Sequence, residues 1–215
     1  MSSPTVPDLK PNLTQGLKAL GLELPEARID LLLQLLALLI KWNKSYNLTA
    51  VRDPQQMVPV HLLDSLAMMP FLQGNSVLDV GTGPGFPGLP LAIACPETQF
   101  TLLDSNAKKT RFITQAVMEL GIQNVTVVQS RAEAFQPAGQ YSSIITRAFA
   151  SIPEMLAMIK HLCTNTTAVI AMKGQYPKEE LSDWPSGFVC DEIRAVQVPE
   201  LDAARHVVLI SYEMS

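Results

Sequence analysis

The stretch VLDVGTGPGFPGLPLAI, Val77 to Ile93, decides how the rest of the chain is read. A short apolar segment carrying one acid runs into glycines at 81, 83, 85 and 88, and an apolar run then resumes. That order is a β-strand, a tight turn and a helix. In an open parallel sheet such a turn lies at the carboxyl edge, where ligands bind. Glycine is needed there because a Cβ would block close approach of a ligand to the backbone. A phosphate, a dinucleotide and a sulfonium compound are all candidates. A phosphate-gripping loop requires Lys followed by Ser or Thr, and none follows. The dinucleotide fingerprint GxGxxG requires glycine at 86, where Phe86 stands. What is present is GxGxG at Gly81, Gly83 and Gly85. A bare turn without a ligand is the competing reading, and four glycines and three prolines in ten residues weigh against it.

Outward from this loop the rhythm is regular. SVLDV is a strand and PGLPLAIAC a helix. TQFTLLD is a strand, and NAKKTRFITQAVMELG a helix ending at Gly121. NVTVVQ and YSSIITR are strands, SIPEMLAMIKHL a helix, and TTAVIAMKG a fifth strand. GFVCDEIRAVQV and ARHVVLISYE form a late pair with little helix between them. Alternating β and α implies parallel strands with helices on both faces. The late pair implies an antiparallel hairpin closing a seven-stranded sheet.

Upstream, the first twelve residues, with Pro4, Pro7 and Pro11, read as a loose tail. A helix opens at Pro25-Glu26 and runs to about Trp42, with leucines on nearly every face. A further helix covers DPQQMVPVHLLDSLAMM, with Asp53 as N-cap and Pro54 in its first turn. The expected organisation is a helical extension over residues 1–70 and a ligand-binding domain over 71–215, forming one compact unit.

Bulk composition agrees with a globular chain of 215 residues, 47% hydrophobic and 17% charged. The longest apolar run, Leu31 to Ile40, is ten residues and is broken by Gln34, short of a membrane span. No secretory signal is visible. Cys95, Cys163 and Cys190 show no CxxC spacing, so they read as reduced thiols of a cytoplasmic protein. His61, His161 and His206 lack metal-ligand spacing, so no metal is expected. The net charge of −4 hides an asymmetry. Residues 105–178 hold eight Lys/Arg against three Asp/Glu, and the remainder eight against seventeen. That basic half is either a phosphate-facing surface or a set of solvated helix faces.

Three elements address a ligand at the sheet edge. The glycine loop is the first. The second is Asp104, which closes the second strand 23 residues after Gly81. An acid there accepts ribose hydroxyls, or it caps the following helix. The third is QSRAEAF after the third strand, where Ala132 and Glu133 could address an adenine amino group, or Arg131 and Glu133 could be an exposed pair. The loop TRAFAS, Thr146 to Ser151, follows the fourth strand; in the class I methyltransferases that this pattern resembles, that loop faces the acceptor. It lacks the Asn/Asp-Pro-Pro-aromatic motif that holds exocyclic amines, and no cysteine is placed for attack on a pyrimidine. An acceptor with a free lone pair, such as guanine N7, needs neither base nor covalent intermediate. Arg147 could orient a guanine or the cofactor, or form a surface ion pair. Phe149 could stack on a base or pack in the core.

GxGxG, an acid ending the second strand, a polar loop after the third and a closing hairpin together resemble a class I S-adenosylmethionine-dependent methyltransferase, with its Rossmann-like sheet. The segments NKSYNLTAV, HLLDSL, VLDVGTGPGFPGLPLAI, LLDSNAKKTRFI, SRAEAF, TRAFAS, AMKG and RHVVLI, in this order, closely resemble the bacterial small-subunit rRNA guanine-N7 methyltransferases, also called glucose-inhibited division protein B. The resemblance covers about Trp42 to Lys173 plus the final strand. It implies methyl transfer from S-adenosyl-L-methionine to a guanine in the decoding-region loop of 16S rRNA, either free or in the small ribosomal subunit. It places cofactor contacts on Gly81, Gly83, Phe86, Ala132, Glu133 and Arg147, with Asp104 matching the ribose acid of the wider class. Arg147 is the candidate catalytic residue. Lys108, Lys109, Arg111, Arg131 and Lys173 are the candidate RNA-facing cations, with Lys41, Lys44, Arg52 and His61 as possible additions. His61 is as well read as a surface residue partnered by Asp64. A monomer is the default state. Two rivals stand: a methyltransferase acting on a metabolite or protein, and a nucleotide-binding regulator without catalysis.

Overall fold

A computed structural model describes residues 9–147 and 150–213. Phe149 therefore lies outside the described residues. The chain forms a seven-stranded sheet in the order β3-β2-β1-β4-β5-β7-β6. The strands are β1 (Ser76–Val80), β2 (Gln99–Asp104), β3 (Val125–Gln129), β4 (Ser143–Arg147), β5 (Ala168–Lys173), β6 (Phe188–Ala195) and β7 (His206–Tyr212). The first five are parallel, with Leu78 opposite Thr101 on one side and Ile144 on the other. β7 runs antiparallel between β5 and β6, as the late hairpin implied. Because β6 pairs only with β7, the last strand in sequence is not the last in space.

Central strands covered on both faces must be apolar throughout. Val77, Leu78 and Val80 of β1 and Ile144 and Ile145 of β4 are fully buried, which explains why these segments do not alternate. Helices α5 (Gly88–Ala94), α6 (Ala107–Glu119) and α7 (Ile152–Ile159) connect the strands. A Cβ at Gly88 would strike Leu102 and come within 2.7 Å of Asp79 Oδ2, so α5 approaches β1 and β2 closely only because this residue is glycine. Asn106 caps α6 by accepting from the Lys108 N–H, and Gly121 ends that helix at φ +63°. Ser151 and Glu154 cap α7 reciprocally.

The helical front packs on one face of the sheet. It comprises α1 (Lys10–Ala19), α2 (Glu26–Tyr46), α3 (Pro54–Met57) and α4 (Asp64–Leu66), with a wide π-turn over Val58–Leu63. Two expectations are corrected. Residues 10–12 belong to α1, because Pro11 falls in the first turn, where its missing N–H costs nothing. α2 continues past Trp42 to Tyr46, because nothing stops it before Asn47, which takes the left-handed conformation at φ 50°. The cap at Asp53 is as expected: its carboxylate accepts from the Gln55 N–H. Pro59 lies inside the following segment and cannot donate to a helical ladder. The segment relaxes into the π-turn, which sets His61 and Asp64 against the sheet edge.

Candidate active site

The glycine loop is pinned from below by a buried carboxylate. Asp79, fully buried in β1, accepts at Oδ2 from Thr82 Oγ1 at 2.6 Å and from the Gly88 N–H at 2.8 Å. Burial pushes its carboxyl up to about 6, against the pull of those donors and of Arg147. From the side, Asp104 accepts at Oδ2 from the Gly83 N–H at 2.9 Å and at Oδ1 from the Asn106 N–H at 2.8 Å. One carboxylate thus ties the loop to the start of α6, although the cap of that helix is Asn106 itself. Gly81, Gly83 and Gly85 all have positive φ, at 68°, 62° and 92°. Side chains rarely adopt these values.

Beside this loop lies a cavity of about 330 Å³ at the carboxyl ends of β1, β2 and β3. Gly81, Asp104, Ala132 and Glu133 line it, with apolar walls from Val80, Leu103 and Met158. Four of the cofactor-contact candidates named from sequence therefore meet in one place. Asp104 is 8% exposed, and two of the roughly four acceptor positions of an ionised carboxylate are used, so capacity for hydroxyl donors remains. A Cβ on Gly83 would meet nothing within 4 Å, so the loop keeps open space on that side. A cavity with a buried acid, a glycine edge and an apolar patch amid polar walls fits an adenosine-bearing cofactor.

Phe86 is not part of that lining. Its ring is buried, stacked on His61 at 4.9 Å between centroids, with the Arg147 guanidinium 5.9 Å from its centre. Its aromatic bulk lies beneath the loop rather than in the cavity. His61 is a buried residue, not a surface one. Its Nε2 lies 3.0 Å from Thr49 Oγ1, and burial together with the Arg147 charge lowers its pKa to about 3. Asp64 is not its partner.

Asp64 instead joins two arginines. At 2% exposure, its Oδ2 accepts from Arg147 Nη1 at 3.1 Å and its Oδ1 from Arg205 Nε at 2.9 Å. Arg147 also donates to the Val60 carbonyl at 3.0 Å. This trio borders a second, larger cavity of about 820 Å³ at the ends of β4 and β5. Val60, Met172, Lys173 and residues 174–180 complete its wall. Sequence reasoning singles out Asp64 only as a partner for His61, and Arg205 not at all. The available signal is an acid inside the apolar run HLLDSL, which on burial needs a cation or hydrogen-bond donors to satisfy it.

The five candidate RNA-facing cations do not gather in one place. Lys109 and Arg131 line the smaller cavity, and Lys108 and Arg111 are exposed on α6. Lys173 is compensated: its Nζ lies 2.7 Å from Glu180 and donates to the Ala150 carbonyl at 3.1 Å. Arg52 is spent locally, on the Asn43 carbonyl and Asn47 Oδ1 at the end of α2. Among the described residues no group of three or more His, Cys, Asp or Glu is placed to hold a metal, and no helix is long and apolar enough to cross a membrane.

The two shifted groups give acid stability a definite shape. His61 stays neutral in the fold while the unfolded chain protonates it near 6.5, so its contribution is present above 6.5 and lost as pH falls toward 3. Asp79 has the opposite sign. It keeps its proton in the fold up to about 6 while the unfolded chain releases it near 3.8, so its contribution is present below 3.8 and lost as pH rises through 6. Between 3.8 and 6 the two oppose each other. Asp79→Asn leaves His61 unopposed, and the urea midpoint of this variant should fall more steeply on acidification through that window than the wild type's. Equal slopes would show that Asp79 ionises as an ordinary carboxyl.

Comparison with known proteins shows which family the chain falls in. The family model GidB, rRNA small subunit methyltransferase G, matches residues 28–208. Ribosomal RNA small subunit methyltransferase G of Chromobacterium violaceum is 50% identical over 197 residues, covering 91% of this chain and 94% of the relative. The protein of the same name from Pseudomonas syringae pv. syringae is 47% identical over 210 residues, covering 98% of each. Among solved structures, an S-adenosylmethionine-dependent methyltransferase from Aquifex aeolicus superposes with a TM-score of 0.56 at 19% identity, covering 80% of this chain and 97% of that one. An O-methyltransferase of neocarzinostatin biosynthesis, solved with S-adenosylmethionine, superposes at 0.53 and 14% identity, covering 65% of this chain and 49% of that one. These two likenesses establish the Rossmann-like methyltransferase fold. With a family model matched over most of its length and relatives about half identical end to end, the chain belongs to the rRNA small subunit methyltransferase G family.

Proposed function

We propose that this chain moves a methyl group from S-adenosyl-L-methionine to N7 of a guanine in the decoding-region loop of 16S rRNA, acting as a cytoplasmic monomer. The observation that carries the reading is the pair of cavities on neighbouring strand ends in a chain of this family. Bound in the smaller cavity, the cofactor supplies an electrophilic methyl group on a sulfonium. Asp104 would receive the ribose hydroxyls, and Gly81 and Gly83 would let the backbone come close. Ala132 and Glu133 would face the adenine. Arg147, hydrogen-bonded to both Asp64 and Val60, stands where an acceptor entering the larger cavity would meet the loop. Guanine N7 attacks with a lone pair already free, so these residues need only align it and keep water out. Free rRNA and the small ribosomal subunit both present such a guanine.

The test uses methyl-labelled S-adenosylmethionine and small subunits or 16S rRNA lacking the modification. The expected label is 7-methylguanosine at one position. Cofactor binding without label in RNA would point to a metabolite acceptor.

A further inference from the structure

The larger cavity holds an unbalanced charge. Two guanidiniums, Arg147 and Arg205, share one carboxylate, Asp64, so the trio keeps a formal charge of +1. The neighbouring Lys173–Glu180 pair is neutral. Arg205 spends Nε on Asp64 and Nη1 on the Ala204 carbonyl, and no described residue accepts from its Nη2. Its side chain is 23% exposed, whereas the carboxylate that fixes it is 2% exposed. A fork fixed at one edge and unused at the other is a ready site for an anionic oxygen. At the rim, Tyr176 is 53% exposed, with its ring edge-on to His206 at 5.7 Å, and offers a surface for an unstacked base. The volume of about 820 Å³ exceeds what a base alone needs and suits a nucleotide with its phosphate.

We propose that this cavity takes the acceptor nucleotide swung out of the RNA, and that Arg205, oriented by Asp64, clamps a phosphate flanking the acceptor guanine. This rests on the methyltransferase reading above. Placing the surplus charge on the phosphate also leaves N7 free of a cationic donor that would tie up its lone pair. The clamp binds substrate, so its loss acts on KM rather than on turnover.

The experiment measures methyl transfer to unmodified small-subunit RNA across about 50–200 mM salt, for wild type, Arg205→Gln and Arg205→Lys. Arg205→Gln keeps hydrogen-bond donors but loses the charge. Its KM should rise about ten- to hundredfold with kcat nearly unchanged. Its slope of log(kcat/KM) against log salt should be shallower by about 0.7, as expected when one fewer phosphate of a single strand is neutralised. Arg205→Lys keeps the charge and should keep the slope, with an intermediate KM. Calorimetric binding of S-adenosylmethionine checks that each variant is folded. Should Arg205→Gln fail to fold, Arg205→Lys carries the test, and a shallower slope or abolished transfer in it overturns the clamp. An unchanged slope in Arg205→Gln, or a loss confined to kcat, also overturns the clamp while leaving the methyltransferase reading intact. Failure of the wild type to methylate the RNA at all overturns both.

Discussion

Arg147→Ala should lower kcat/KM for RNA methylation at least about 100-fold while leaving cofactor affinity within about threefold, since a displacement of about 1 Å among positioning groups already costs that much. The side chain lines the larger cavity: it leaves β4, passes the Phe86 ring and reaches Asp64 and the Val60 carbonyl. It therefore fixes the front helices against the sheet at the mouth of the larger cavity. Some stability is lost as well. Orphaning a buried carboxylate outright costs about 3–5 kcal/mol, but Asp64 retains Arg205, so about 2 kcal/mol is expected. Comparing kcat/KM with the urea midpoint separates these effects. Near-full activity would remove Arg147 from the mechanism.

Asp104→Ala should raise the dissociation constant for S-adenosylmethionine about 100-fold. A hydrogen bond to a charged group contributes about 1.5–3 kcal/mol. The variant also frees the Gly83 and Asn106 N–H groups that shape the cavity edge. An analogue lacking the ribose hydroxyls separates the two causes. Wild type should bind it much more weakly than the cofactor, whereas Asp104→Ala should barely distinguish the two. Full additivity of the two losses would show that Asp104 holds the loop and never meets the ribose.

The sheet was legible because its information is local. Buried strands read as apolar runs, and Gly121 and Asp53 mark helix ends by their own chemistry. The glycine loop and its acid were legible for a similar reason, since consecutive strand ends fall side by side in a parallel sheet. The larger cavity was not legible. Asp64 meets residues 83 and 141 positions away, and no short pattern encodes that meeting. The pairing of Lys173 was not legible either, because charge is read from sequence while compensation is not: Glu180 neutralises it across a loop. Tyr46 and Pro11 show the usual error at helix ends, where a polar or cyclic residue is tolerated for part of a turn.

The place of β7 bears on how this chain is made. Synthesis proceeds from the N-terminus, and domains begin to fold as they emerge. The glycine loop and Asp104 are complete once β3 has been released, but β5 keeps an open edge, and β6 finds no partner, until β7 slots between them. A ribosome that stalls late would leave a nascent chain with its smaller cavity formed and a sticky flank exposed. Closure of the sheet thus waits on β7, which also brings in Arg205, the residue just ahead of it.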